Sequence, residues 1–357
     1  MSITEEPYTF ARTGLTLRNH LVMAPMASAK ADAVGTITHD LLDHYTQRAQ
    51  GQNLGLVITE HHFVAPEGKA TNNQASIASD ADISGLAREA AALHACDTPV
   101  LVQLGHAGSA ASKDICHDAP IAPSACLTPG AKRGHALPRA MDADDIARTI
   151  DAYAQAARRA AAAGFDGVEI HAAHGYLIDQ FISPLTNRRT DDYGGDTISR
   201  VHFLREVIAA VKQTLSGHML ISCRLGASDY MAGGTTIKDG VMAAKLLDKD
   251  GIDLISVSGG MNFYTRRDTL AAGYFSDASL PIKATVSAPV LLTGGIRKIE
   301  QGEKLLALGA CDLVGVGRAL LNNEHWADTS MRRIRRLERE GASRLEAAEV
   351  YDVPWQR

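Results

Sequence analysis

Residues Glu169–Gly195 read EIHAAHGYLIDQFISPLTNRRTDDYGG, and the opening of this block places two histidines and a tyrosine directly after a run of apolar residues. Gly167, Val168 and Ile170 predict an interior strand. Gly164 stops the alanine-rich helix that precedes it at Ala157–Ala163. His171, His174 and Tyr176 are therefore expected at the carboxyl end of a strand. In α/β folds the side chains at that rim converge on an open space while the strands below stay packed, so that rim is where ligands bind.

Working outward, the same unit recurs about eight times. Short apolar runs predict strands at Leu21–Met26, Gly55–Thr59, Pro99–Leu104, Asp166–Ile170, Met219–Arg224, Asp253–Val257, Pro289–Thr293 and Asp312–Val316. Most are rich in Val, Ile and Leu without alternation, as strands buried on both faces are. Helical patterns fall between them at His39–Gln50, Asp82–His94, Asp142–Ala163, Thr197–Leu215, Lys238–Asp250 and Arg297–Leu308, with Ser84 and Thr197 as candidate N-caps. A closed (β/α)₈ TIM barrel accounts for this count in a single domain spanning residues 1–357, and no composition break marks a linker. A doubly wound sheet would show a glycine-rich dinucleotide fingerprint after its first strand, where this chain has PMASAKADAVG instead.

Two connections exceed the usual two to six residues of a βα loop. One runs from about 105 to 141 after the third strand; the other runs from about 258 to 280 after the sixth and carries Phe263, Tyr264, Arg266, Arg267, Tyr274 and Phe275. Both leave from the ligand rim, so each is a candidate roof for a pocket. At the far end, LLTGGIRK follows the seventh strand and DLVGVGRALL the eighth. Gly294, Gly295 and Gly317 would let backbone N–H groups approach an anion, and Arg318 would add a charge-assisted contact. Together they predict a phosphate cup.

Composition narrows the function. The chain has 357 residues, 45% hydrophobic and 22% charged, with a formal net charge of −5. This is a globular composition without the basic excess of a nucleic-acid binder. The one basic run, RRIRRLER at Arg332–Arg339, alternates with apolar residues at helical spacing and reads as a solvated helix face. The start, MSITEEPYTF, has neither a basic nor an apolar leader region, and no stretch reaches the roughly 18 apolar residues of a spanning helix. A soluble cytoplasmic protein with no membrane partner is expected. Cys96, Cys116, Cys126, Cys223 and Cys311 form no CxxC pair, so reduced thiols are expected rather than a disulfide framework or a metal site.

On residues alone, the HAAH pair allows three readings. Imidazoles three apart occur as metal ligands, but the HExxH spacing, its glutamate and a third ligand cluster are missing. Buried histidines satisfied by backbone groups are a second reading. Catalytic donors beside Tyr176 are the third.

The chain resembles the Old Yellow Enzyme family of FMN-dependent NAD(P)H oxidoreductases over nearly its whole length. The resemblance is carried by RNHLVMAPM, VQLGHAG, the block HAAHGYLIDQFISPLTNRRTDDYGG, SCRLGASDY, TGGI and CDLVGVGR. It is nearest to the bacterial branch with a second histidine where yeast-type members have asparagine. The resemblance implies non-covalent FMN at the carboxyl rim. Ala24, Pro25, Met26 and Ala27 would lie under the isoalloxazine ring, Gln103 at its pyrimidine edge, and Arg224 near N1 and the C2 carbonyl. Gly294, Gly295, Gly317 and Arg318 would hold the phosphate, and His61 would also line the flavin.

It further implies an ene-reductase. His171 and His174 would hydrogen-bond the carbonyl oxygen of an enone or enal, hydride would pass from flavin N5 to the β-carbon, and Tyr176 would protonate the α-carbon. NADH or NADPH would reduce the flavin, and no metal is called for. The alternatives are a related FMN barrel running oxidatively, for example on amines, and a non-catalytic flavin-binding protein. A Schiff-base aldolase is disfavoured because the sixth strand, DLISVS, carries no lysine.

Three departures from the family qualify these expectations. Ala27 stands where many members have threonine or cysteine against flavin O4, so the flavin potential is expected to differ. PMASAKADAVG lacks an aromatic that shapes the substrate pocket in some bacterial relatives. With no cysteine cluster and no further domain, NAD(P)H is expected to bind directly over the FMN. The C-terminal YDVPWQR carries Trp355 and Arg357, and in some barrel relatives such a tail reaches a neighbouring subunit's site. A homo-oligomer is expected on that ground. NRRTDDYGG is expected to anchor the loop rather than to catalyse.

Overall fold

The computed structural model describes residues 2–111, 115, 119–129, 136–261, 263–266 and 268–339. Cys116, Arg267 and the tail residues Trp355 and Arg357 lie outside the described residues.

Eight parallel strands close into a barrel: β1 Leu21–Met23, β2 Leu56–Phe63, β3 Val100–Gly105, β4 Gly167–Ala172, β5 Leu220–Gly226, β6 Leu254–Ser258, β7 Val290–Leu292 and β8 Leu313–Val316. Sequential strands are neighbours, and β8 closes on β1 through Val314↔Leu21. The lower interior is filled by Val22, Leu56, Ile58, Leu101, Leu220, Leu254, Leu291 and Leu313. An antiparallel pair, Tyr8–Thr9 with Thr16–Leu17, plugs the amino-terminal end by adding Phe10 and Leu17 to that cluster. A second, larger cluster fills the space between the outer faces of the strands and the helices.

Two residues further along several of the strands the interior turns polar. Gln103 pairs in register with Glu169, and Glu169 with Ser222. His171 lies beside Arg224 in the next layer up. Alternation along the strands makes this unavoidable once Leu101 and Leu220 face inward, since i and i+2 share a face.

The outer ring comprises α1 His39–Ala49, α2 Ile83–His94, α3 Ala143–Ala162, a short α4 Leu177–Ile182, α5 Thr197–Thr214, α6 Ile237–Lys249, α7 Ser276–Lys283, α8 Ile299–Ala307, a one-turn α9 Arg318–Asn322 and α10 Trp326–Arg339. Asp142 caps α3 by accepting from Asp145 N, and Gly164 ends the turn after it at φ +85°. The caps expected at Ser84 and Thr197 are not used. Asp82 precedes α2, and Asp196 caps α5 by accepting from Ser199 N. At α5 the aspartate one position earlier reaches the exposed N–H group, which leaves Thr197 inside the first turn.

Two further expectations shift. The connection after β6 ends at Ser276, where α7 begins, so residues 276–280 are helical. The connection after β3 is partly structured: Ile121–Ala122 pairs with Arg139–Ala140. Among the described residues no helix is long and apolar enough to cross a membrane.

Candidate active site

A cavity of about 670 Å³ opens at the carboxyl end of the barrel. It is lined by Ala24, Pro25, Met26 and Ala27 after β1, by His61, Gln103, His171, His174, Tyr176 and Arg224, and by Gly294, Gly295, Gly317 and Arg318. Every site residue expected from the sequence therefore faces one space. The structure adds Tyr264, Tyr274, Arg297, Asn322, Asn323 and Trp326 to the wall. Of the two long connections, the one after β6 contributes Tyr264 and Tyr274, whereas the described residues of the one after β3 contribute none.

The two histidines reach the cavity by different routes. His171 projects from β4 itself. His174 sits in the following turn at φ +63°, a conformation that costs a non-glycine residue about 1–3 kcal/mol and persists only when surrounding bonds enforce it. Gly175, next in the turn, is also left-handed at φ +73°. The turn is held by Asp179 Oδ2, which accepts from Gly175 N at 2.7 Å, and by Gln180 Nε2, which donates to Gly175 O at 2.7 Å. His174 N adds a contact to Gly259 O at 3.3 Å. Asp179 is fully buried, and burial together with neighbouring Asp229 holds its carboxyl well above the usual range. Asp229 in turn accepts from Ser183 Oγ at 2.6 Å and Met261 N at 2.8 Å, tying this turn to the connection after β6.

The rings form a compact cluster. His171 meets both His174 and Tyr176 edge-on at 5.0 Å between centroids, and His61 stacks on Tyr176 at 5.1 Å. Burial lowers both His171 and His174 well below the usual imidazole range, with Arg224 and the other histidines adding to the shift. Both rings are neutral at physiological pH, so each carries one donor and one acceptor nitrogen. His174 Nε2 lies 2.8 Å from Ser258 Oγ, while His171 Nδ1 is buried without a hydrogen-bond partner. Burial raises the Tyr176 phenol above its usual value, and Tyr264 raises it further. It is therefore a protonated donor across the physiological range.

Arg224 and Glu169 form a buried charged layer beneath the rings. Glu169 is fully buried and accepts from Gln103 Nε2 at 2.8 Å and Ser222 Oγ at 3.0 Å. This orients Gln103 so that its carbonyl oxygen is left for the cavity. Arg224 has only long contacts, Nη1 to Pro25 O at 3.5 Å and Nη2 to Ser258 Oγ at 3.4 Å, and its Nε has none. A buried guanidinium with unused donors calls for an electron-rich ligand. Glu169 was visible in the sequence as a carboxylate inside an apolar strand, and sequence reasoning assigned it no part.

At the other end, the ring of Tyr274 packs on the glycine pair. A Cβ at Gly294 would lie 2.9 Å from that ring, and one at Gly295 2.8 Å. Tyr274 OH accepts from Arg318 Nη2 at 2.9 Å and donates to Tyr264 O at 2.8 Å. Arg318 is exposed and keeps its other guanidinium donors for an anion. The glycines thus make room for Tyr274 as well as for any ligand backbone contact.

The NRRTDDYGG segment ties loops together. Asn187 Nδ2 donates to Phe181 O and Tyr193 O, both at 2.7 Å, and Arg189 Nη1 donates to Met141 O at 2.6 Å.

Residues 6–336 match the model of a family described as NADH:flavin oxidoreductase / NADH oxidase. An NADPH dehydrogenase of Geobacillus thermodenitrificans (strain NG80-2) is 37% identical over 350 residues, covering 98% of this chain and 97% of the relative. Among solved structures, the old yellow enzyme homologue from Zymomonas mobilis superposes with a TM-score of 0.80 at 27% identity, over 94% of this chain and 93% of that one. Morphinone reductase in complex with tetrahydroNAD superposes with a TM-score of 0.77 at 26% identity, over 93% and 90%.

Proposed function

Because the chain belongs to the NADH:flavin oxidoreductase / NADH oxidase family and is an FMN-dependent NAD(P)H oxidoreductase, we propose that it reduces the activated C=C bond of α,β-unsaturated carbonyl compounds. The observation that carries this reading is the cluster of His171, His174 and Tyr176 around one cavity, with the donor-rich Arg224 below it.

The residues present fit FMN. Arg224, with its unpartnered Nε, suits an electron-rich ring edge, and the free carbonyl of Gln103 suits a ring N–H. Gly317 N, Gly294 and Gly295 backbone and the spare donors of Arg318 suit a phosphate. When bound, FMN supplies the chemistry of accepting a hydride from the nicotinamide and passing one to the alkene.

The chain's own residues then do three things. His171 and His174 hold the substrate carbonyl oxygen, and their N–H groups gain strength as negative charge grows on it. Ser258 holds the ring of His174 in place through its Oγ, 2.8 Å from Nε2. The same oxygen lies 3.4 Å from Arg224 Nη2, which links the ring of His174 to the layer below. Tyr176 delivers the proton to the α-carbon; its phenol makes no hydrogen bond among the described residues and is kept protonated by burial.

The test separates the two half-reactions. Tyr176→Phe is expected to slow cyclohexenone reduction by about 100- to 10,000-fold, the usual worth of a positioned general acid, and to slow reduction of the enzyme by NADPH far less. Equal slowing of both would remove Tyr176 from the proton-donor role.

A further inference from the structure

We propose that His61 is a third hydrogen-bond donor of this site, fixed as its Nε2–H tautomer by Gln74, and that it selects ligands carrying an acceptor oxygen beyond the one held by His171 and His174. The proposal rests on the reading above only for the position of that first oxygen.

The backbone explains why His61 faces the cavity. Leu56 and Ile58 on β2 belong to the interior cluster, so simple alternation would send residues 60 and 62 inward and 61 outward. Between the pairs Ile58↔Leu101 and His61↔Gln103, β2 advances three residues while β3 advances two. This one-residue bulge inverts the phase. His61 turns into the cavity, and His62 turns out to α2, where its Nε2 lies 3.1 Å from Glu89 Oε2 with both side chains fully buried.

Gln74 then settles the position of the His61 proton. Its Oε1 accepts from Ala70 N at 2.7 Å, which identifies the other amide atom as the donor nitrogen. That nitrogen contacts His61 O at 2.9 Å and His61 Nδ1 at 3.2 Å. A ring nitrogen that accepts a hydrogen bond carries no proton, so neutral His61 holds its proton on Nε2. The ring stays neutral through the physiological range, because burial and the charges of His62 and Arg224 push its pKa down to about 4.

Nε2 has no acceptor among the described residues. His61 lines the cavity, so this N–H is available to an acceptor that enters it. His61 stacks on Tyr176, and its ring centroid lies 5.7 Å from that of His171. The acceptor the proposal assigns to it is a second oxygen, as in an alkene flanked by carbonyls on both sides. Gln74 acts as a positioning residue, and His61 determines specificity.

A matched pair of inert ligands tests this: 4-methoxyphenol and 4-ethylphenol have nearly the same shape and differ in one acceptor oxygen. With FMN-loaded protein, flavin absorbance titrations are expected to show 4-methoxyphenol preferred by about fivefold, the usual net worth of one hydrogen bond. His61→Phe keeps a ring against Tyr176 and removes the donor, and the preference should collapse to near unity. In Gln74→Leu it should fall part of the way. Nitrogen-15 NMR of histidine-labelled wild type should show His61 protonated at Nε2, a signature that a merely structural role for Gln74 would not require.

An undiminished preference in His61→Phe, no preference in wild type, or a proton on Nδ1 would each overturn the proposal. So would a loss of FMN affinity in His61→Phe with the phenol preference intact, which would put the donor on the cofactor. Turnover of a simple enone tests the reaction itself and does not enter these ratios.

Discussion

Replacing Glu169 by glutamine removes the charge that Arg224 depends on inside the barrel. Arg224 is buried, its two nearest acceptors are 3.4 and 3.5 Å away, and its Nε has none. Burial lowers the affinity of its guanidinium for a proton, and Glu169 is the carboxylate that opposes this. Glutamine also turns an acceptor into a donor facing Gln103 Nε2 or Ser222 Oγ, both of which now donate to Glu169. Leaving one buried charge uncompensated costs about 3–5 kcal/mol. At roughly 1.3 °C per kcal/mol for a chain of this length, the melting temperature should fall by about 4–7 °C.

The assay is thermal unfolding of FMN-free protein, since a bound ligand would raise the midpoint by mass action. Glu169→Gln combined with Arg224→Met should be more stable than Glu169→Gln alone, because the orphaned charge is gone. A Glu169→Gln protein melting within about 1 °C of wild type, or a double variant less stable than the single one, would refute the charged layer.

Asp179 makes a pH-dependent prediction. Its carboxyl pKa is higher in the folded chain than its unfolded value of about 3.9, so the folded state binds more protons. The stability this contributes is fully present below the unfolded value and is lost as pH rises through the folded one. Asparagine keeps an oxygen for Gly175 N and never ionises, so Asp179→Asn should raise the melting temperature near pH 8 and lose that advantage toward about pH 4. A difference independent of pH would count against a protonated Asp179. At the other end of the site, Gly295→Ala places a methyl group 2.8 Å from the Tyr274 ring at a backbone φ of +68°. It should cost about 1–3 kcal/mol and weaken FMN binding in a fluorescence titration; unchanged affinity would separate the glycine pair from the phosphate.

All eight predicted strands overlap the strands observed, and the six predicted helices are present with ends shifted by a residue or two. Such legibility has a local cause: strands buried on both faces are continuous apolar runs, and amphipathic helices between them repeat every three to four residues. The block from His171 to Tyr176 was equally legible, because polar rings directly after a buried strand are not needed for packing. The caps were misplaced by one or two residues. Serine, threonine and aspartate compete for the same role, and only the backbone trace shows which of them precedes the first helical N–H.

Other parts of the site had no local signal. His61 faces the cavity because β2 slips one residue against β3, a property of two strands together. Gln74 and Ser258 matter through the atoms they touch, and Tyr274 reaches the glycine pair from another connection. The sequence by itself determined the succession of strands and helices, the barrel class and the chemical groups at the rim, since each is written in contiguous residues. Only the tertiary structure decided which ring nitrogen of His61 meets Gln74, which carboxylate balances Arg224 and which connection roofs the cavity. Those outcomes depend on barrel closure and register, which bring together residues far apart in the chain and take away the water that would otherwise satisfy them.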